Sequence, residues 1–156
     1  MIWLKIFICI AVIAFSTGLG YWLSGKYRSR KDFYEQFCLF NKQYLNELSY
    51  TRKSLPDFLK EHEYKGDFAK AVKSCVEARD CSIKFSYLTE EEKSACENYL
   101  AMLGKGDALS QKNYFTIRQS TLAEKKTTCE REAKKRSDLY LKLGLLAGLA
   151  FVILII

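Results

Sequence analysis

Two long apolar stretches, one near each end of the sequence, most constrain what this chain can fold into. Residues 2–23 contain one charged side chain, Lys5, and residues 139–156 contain one, Lys142. At about 1.5 Å per residue, helices of these lengths would be roughly 33 and 27 Å long, close to the bilayer hydrocarbon thickness of about 30 Å. Both stretches are therefore predicted to be transmembrane helices, with the Lys142 ammonium reaching the lipid headgroups.

Each stretch also has a simpler interpretation. The second fits a buried core helix, although such helices usually have only about 10–14 consecutive apolar residues. The first fits a cleaved signal peptide, but its positive charges follow the apolar run, and AFSTGLG is a poor cleavage site. Two stretches of membrane length in one chain favour two spans, which would leave both termini on the same side.

Basic residues concentrate beside the two predicted spans. Residues 24–31 carry four Lys or Arg and no acid, and residues 125–142 carry seven and three acids. Lys and Arg beside spans stay in the cytoplasm, so we expect a cytoplasmic domain over 24–138 with both termini outside. These clusters predict contact with anionic lipid, and no nucleic-acid partner is expected because residues 32–124 are slightly acidic. The predicted membrane-facing residues are Lys26, Arg28, Arg30, Lys31, Arg131, Lys134, Lys135 and Arg136.

Helical periodicity dominates the sequence between the predicted spans. One apolar stripe at helical spacing consists of Phe33, Phe37, Phe40, Tyr44 and Leu48. No Pro or Gly occurs between Lys26 and Tyr50, so this helix is expected to continue from the first span. The last helix is likewise expected to run unbroken from about residue 108 into the second span.

Start and stop signals divide the remaining domain. Ser54 with Asp57, and Thr89 with Glu92, have the spacing of capping boxes, and the first opens a helix expected at about 55–64. A further helix is expected around Phe68–Val76, and a brief one near 82–87. An antiparallel bundle that leaves the membrane and returns needs an even number of helices. The predicted fold class is therefore all-α: an antiparallel bundle of about six helices flanked by N- and C-terminal transmembrane helices.

The chain shows no pattern that indicates an enzyme, a cofactor site or a metal site. There is no phosphate-binding loop, and the single histidine, His62, lies in a charged stretch. The six cysteines have neither CxxC nor zinc spacing, and a cytoplasmic location disfavours disulfides, so most are expected to be small buried side chains. The run EEEK at 90–93 is interpreted as a solvated first helical turn.

Small residues in the predicted spans indicate close helix packing. Gly144 and Gly148 form a GxxxG pattern, and Ser16 and Gly20 have the same spacing in the first stretch. Such positions let helix backbones approach each other. The two spans are therefore expected to pack on each other or on a partner.

Three stretches of this sequence resemble the stage III sporulation protein AB family of endospore-forming bacteria. They are YLNELSYTRKSLPDFL at 44–59, YLAMLGKGDALSQ at 99–111 and LYLKLGLLAGLAFVILII at 139–156. Thr51, Ser54 and Leu100 depart from the family pattern. The matching positions are Glu47, Tyr50, Leu55, Pro56, Leu59, Tyr99, Leu103, Gly104, Asp107, Gln111, Tyr140, Leu143, Gly144 and Gly148.

The resemblance implies a place in the channel, or feeding tube, between mother cell and forespore. The domain of the family is similar to the cytoplasmic domains of platform proteins of type II secretion and type IV pilus machines, which work beside a hexameric ATPase. The expected partners are therefore a secretion-type ATPase and the other membrane subunits of the channel. The expected location is the mother-cell membrane around the forespore.

These expectations combine into a non-enzymatic membrane scaffold whose cytoplasmic end docks the ATPase. The partner-binding candidates are Tyr50, Pro56, Gly104, Asp107 and Gln111, several of which lie at or beside predicted turns far from the membrane. The motif residues among them also have a structural interpretation, as start, stop and cap signals of helices. A cysteine-dependent redox or metal-sensing membrane protein and a pore-lining subunit remain as alternatives.

Overall fold

The fold consists of α-helices joined by short connections. The computed structural model describes residues 2–50 and 53–155, apart from the side chains at 2, 4–6, 154 and 155. Within the described part there are no strands, which confirms the predicted all-α class. The described elements are five helices: α1 (Ile2–Tyr50), α2 (Leu55–Glu61), α3 (Gly66–Glu77), α4 (Glu90–Ala101) and α5 (Ala108–Ile155).

The segment 78–89 does not form the sixth helix that was predicted. Arg79 has a φ of 56°, a left-handed conformation that stops α3. After it, Ile83 is buried and Phe85 and Tyr87 are half-buried, whereas the residues between them are exposed. An apolar period of two belongs to extended backbone, so this segment connects α3 to α4 without a helix. The argument from an even number of helices is therefore wrong.

The long terminal helices are continuous, as predicted. α1 runs unbroken to Tyr50 and α5 runs unbroken from Ala108. The chain divides into two compact units, and both helices contribute to each. The paired-helix unit comprises the chain up to Ser29 and from Glu130, and the head unit comprises Arg30–Cys129.

The head unit is built around aromatic side chains. The predicted stripe on α1 is confirmed, because four of its residues are buried and Leu48 packs against them. Phe37 stacks on Phe68 at 4.8 Å between ring centroids and meets Tyr99 edge-on at 4.7 Å. Ring pairs of this kind add about 0.5–1.5 kcal/mol beyond the area they bury. The described aromatic side chains of the head with no exposed surface are Phe40, Phe58, Phe68 and Phe115.

The paired-helix unit exposes much apolar surface. In α1, Trp3 is 85% and Trp22 is 76% exposed, and α5 likewise exposes Leu146 and Phe151. Among the described residues, one helix segment is long and apolar enough to cross a membrane by length and composition, Phe7–Tyr50 of α1, and its apolar window is 11% buried. This surface points to membrane association. The predicted second span, 139–156, ends at Ile156, which lies outside the described residues, and it stays a prediction.

Candidate interaction surfaces

Small residues bring α1 and α5 into backbone contact in the paired-helix unit. The Ser16 hydroxyl donates a hydrogen bond to the Gly144 carbonyl at 2.6 Å. A Cβ added to Gly20 would lie 2.5 Å from the carbonyl oxygen of Tyr140, and one added to Gly144 would lie 2.8 Å from that of Ser16. A larger residue at either position would therefore force the two backbones apart. Within this unit, α1 and α5 pack directly on each other.

Aromatic rings hold two arginines of the same unit in place. The Arg28 guanidinium lies 3.8 Å from the centroid of the Tyr21 ring and donates to the Ser137 hydroxyl at 3.1 Å. Arg136 lies 5.6 Å from the centroid of the Tyr27 ring. Contacts of a cation with a ring face contribute about 0.5–1 kcal/mol at exposed sites. The described basic residues of this unit that are exposed are Lys26, Arg131, Lys134, Lys135, Arg136 and Lys142.

The other two predicted membrane-facing residues belong to the head unit, where acids balance their charge. Arg30 donates to a carboxylate oxygen of Glu92 at 2.7 Å, and its side chain is only 20% exposed. The Lys31 ammonium lies 3.9 Å from Asp32 and 4.0 Å from Glu35. These contacts give Arg30 a structural role within the head.

Glu92 is a buried carboxylate that sequence analysis wrongly predicted to be exposed to solvent. It belongs to the run interpreted as a solvated turn, yet its side chain is 3% exposed. It accepts from Arg30 and from the backbone N–H of Thr89 at 3.1 Å, completing the predicted capping box, and Lys125 lies 3.7 Å away. The available signal was its spacing from Cys96 and Tyr99, which puts Glu92 on the buried face of α4.

The environment of Glu92 keeps it ionised. Burial by itself raises the pKa of a carboxyl group, but the hydrogen bond from Arg30, with those from Thr89 and Tyr34, holds the pKa of Glu92 below its usual value. The same contact affects Tyr34, whose pKa is raised by burial and by the neighbouring Glu92 charge. The cluster therefore fixes a charged pair inside the head at neutral pH.

Three of the five partner-binding candidates have structural roles in the connection between α4 and α5 or in the first turn of α5. Gly104 has a φ of 70°, which glycine adopts without strain, and it follows the end of α4. The Asp107 carboxylate accepts from the backbone N–H of Ser110 at 3.2 Å and so caps α5. Gln111 is 7% exposed and accepts from the Tyr44 hydroxyl at 2.6 Å. The start, stop and cap interpretation therefore fits Gly104 and Asp107.

The other two candidates are open to solvent. Tyr50 is 86% exposed at the end of α1, and Pro56 is exposed in the first turn of α2. The Ser54 hydroxyl bonds to the Asp57 carboxylate and makes no side-chain cap to the helix backbone, so the capping box predicted there is wrong. Thr51, beside Tyr50, lies outside the described residues. Of the five candidates, Tyr50 and Pro56 have side chains most available to a partner.

Two of the six cysteines, all of which the structure describes, differ from the expectation that no disulfide forms, and the other four are thiols. Cys75 and Cys81 form a disulfide across the end of α3. Cys96 and Cys129 are buried, and burial raises the pKa of Cys96 to about 12, so it stays a thiol. Within the described part of the chain, no three metal-ligating side chains cluster.

The comparison with known proteins covers most of the chain. The model of the family described as stage III sporulation protein AB matches residues 62–156. This range includes the second and third stretches of the resemblance and excludes the first, 44–59. No curated protein and no solved structure shows significant similarity to the chain. Since the matched range exceeds half of the sequence, the chain belongs to the stage III sporulation protein AB family.

Proposed function

We propose that this protein is a non-enzymatic integral membrane component of the sporulation channel between mother cell and forespore. It acts as a scaffold similar to a secretion platform and docks a cytoplasmic ATPase. The observation that carries this proposal is that the two parts of α1 have different surroundings. Its first part exposes Trp3, Phe7 and Trp22 in the paired-helix unit, and its later part supplies buried rings to the head core. Such a helix joins a lipid-contacting unit to a soluble domain.

Anionic lipid is the partner proposed for the paired-helix unit. Arg28 and Arg136 are held against tyrosine rings, and exposed lysines and Arg131 accompany them. Tyrosine and arginine suit the level of the lipid headgroups, where a ring meets apolar chains and a guanidinium meets phosphate. This placement supports the proposal of a cytoplasmic head with both termini outside. The mother-cell membrane around the forespore is proposed from the family alone.

Co-purification tests the proposal directly. The tagged full-length protein, extracted in mild detergent, is mixed with the secretion-type ATPase of the same sporulation channel. The expected result is that the ATPase elutes with the full-length protein and not with an unrelated protein of two spans. An ATPase that stays entirely in the unbound fraction would remove docking from the proposed function.

The Cys75–Cys81 disulfide is the observation that favours the second candidate, a redox-sensing membrane protein. Labelling intact sporulating cells with a membrane-permeant maleimide separates the two. A cytoplasmic head predicts that both thiols react without prior reduction, because cytoplasmic cysteines are kept reduced. Protection of both, relieved by a reductant, would favour the redox candidate or a head outside the cytoplasm.

A further inference from the structure

The head unit carries a groove of about 570 Å³ whose lining has one sign of charge. Leu55, Pro56, Val76 and Leu103 supply apolar walls from α2, α3 and the end of α4. Within the described part of the chain, the charged side chains that line this groove are those of Arg79 and Lys105, and neither forms an ion pair there. We call it the Arg79–Lys105 groove. An apolar groove with a cationic edge complements a ligand that is apolar and acidic.

The nearest acids in sequence are engaged elsewhere. The Asp80 carboxylate accepts from the backbone N–H of Ser82 at 3.0 Å, and Asp107 caps α5 through Ser110. The cations of the groove therefore keep their charge available to a ligand. A second groove, between α2 and α3, has a lining of mixed sign: Lys60 and Lys73 with Glu63 and Glu77. Charge selects a ligand in the first groove but not in the second.

The backbone at Arg79 adds a further observation. The N–H groups of Ala78 and Asp80 both reach the Ser74 carbonyl, at 3.0 and 3.3 Å, so the chain turns tightly at the end of α3. Glycine fits that position without strain, yet an arginine occupies it with a φ of 56°. Cys75 and Cys81 line the same groove, one on each side of this turn. The fold thus holds a long cationic side chain at the edge of an apolar groove.

We infer that the Arg79–Lys105 groove binds an amphipathic segment of a partner protein, one with acidic side chains beside an apolar stripe. The inference deepens the proposed scaffold function and rests on it, because it names the chemistry of the docked partner. The apolar stripe fills the space between α2, α3 and α4, and the carboxylates pair with the two cations. Pro56, exposed and part of the wall, contacts the segment directly.

A matched pair of peptides tests this inference on the full-length protein in nanodiscs of zwitterionic lipid. One fluorescent synthetic helix carries leucines at spacings of three and four along one face with glutamates beside them, and its twin carries lysine for glutamate. Anisotropy should show about tenfold tighter binding of the acidic peptide, and added salt should weaken it. Arg79→Glu with Lys105→Glu should invert the preference. The control pair, Lys60→Glu with Lys73→Glu in the other groove, should keep it.

One further variant separates binding from folding. Arg79→Gly removes the cation and relieves the strain of the left-handed backbone conformation. The variant should therefore melt at the same or a higher temperature than the wild type while binding the acidic peptide more weakly. Four results would overturn the inference. They are no preference in the wild type, an unchanged preference in the double variant, displacement of the peptide by glycerol phosphate, and self-association that the double variant abolishes.

Co-purification with the ATPase distinguishes a failure of this inference from a failure of the proposed function. Capture of the ATPase with no peptide preference removes the groove and leaves the scaffold. A clear preference without ATPase capture supports the groove and removes the proposed docking partner.

Discussion

At the scale of single residues, polar side chains in the head form hydrogen bonds that stabilise a helix end and the core. Asp107 caps α5, and Gln111 bonds Tyr44 inside the core. A cap of this kind contributes about 1 kcal/mol, and asparagine caps nearly as well as aspartate. Because these contacts give a side chain a role in folding, a role in docking has to be tested with variants that still fold.

Asp107→Ala should therefore lower the free energy of unfolding by about 1 kcal/mol, and Asp107→Asn should leave it nearly unchanged. Both variants should still capture the ATPase if the residue is only a cap. Thermal melting by circular dichroism measures the first effect, and co-purification measures the second. Loss of capture in a stably folded Asp107→Asn variant would show that the carboxylate itself meets the partner.

Glu92→Gln should destabilise the head by about 2 kcal/mol, because it removes the charge from the buried carboxylate with which Arg30 forms an ion pair. Urea unfolding followed by circular dichroism measures this loss. Replacing both residues by glutamine should cost less than the two single changes together, since the two side chains are in direct contact and each single change already removes that contact. Strict additivity of the two changes would contradict a coupled pair.

The same residue gives the head a pH dependence. The pKa of Glu92 is lowered in the folded state, so the unfolded state binds the proton more tightly. The stabilisation is therefore complete above the unfolded pKa, near 4.5, and is lost as the pH falls through the lower folded value. Melting temperatures measured between neutral and acidic pH should fall less steeply in Glu92→Gln than in the wild type. Parallel curves would exclude Glu92 as the source.

At the scale of elements, Gly18 and Gly20 of α1 are expected to respond differently to replacement by alanine. A Cβ on Gly20 meets the Tyr140 carbonyl, whereas a Cβ on Gly18 has nothing within 4 Å. Gly20→Ala should separate α1 from α5 and lower the melting temperature of the detergent-solubilised protein, while Gly18→Ala should not, because alanine favours helix. Equal effects of the two changes would mean that the helices do not pack as described.

Local signals in the sequence predicted most of the elements. Thr89 with Glu92, Gly104 and Asp107 mark helix ends through their own backbone chemistry, which acts over one turn and is readable without a structure. The segment 82–87 was misassigned because its period-two pattern involves only three apolar residues, too few to outweigh the helical pattern around it.

The remaining features depend on residues distant in sequence. The burial of Glu92 depends on Arg30, which is 62 positions away, and a charged run has the same appearance whether solvated or buried. The Cys75–Cys81 disulfide was not expected because a cytoplasmic location argues against such bonds. The shape of the Arg79–Lys105 groove depends on three helices meeting, which no single stretch of sequence encodes.

At the scale of the whole molecule, lipid should stabilise the protein according to charge. Phosphatidylglycerol added to the detergent-solubilised protein should raise its melting temperature by about 2–4 °C more than phosphatidylcholine does. Arg28→Gln with Arg136→Gln should reduce that difference. Arg118→Gln is the matched control, because Arg118 also lies over a tyrosine ring, 5.2 Å from that of Tyr114, but in the head unit. A difference unaffected by the Arg28 and Arg136 changes would exclude these arginines as the lipid contacts.

The exposed tryptophans of α1 give the molecule separate optical reporters. Both tryptophans of the sequence, Trp3 and Trp22, precede the head unit, whose rings are phenylalanine and tyrosine. Light absorbed by indole alone therefore samples only the surroundings of the paired helices. Brominated acyl chains that quench this indole emission would locate the bilayer on this protein without any label.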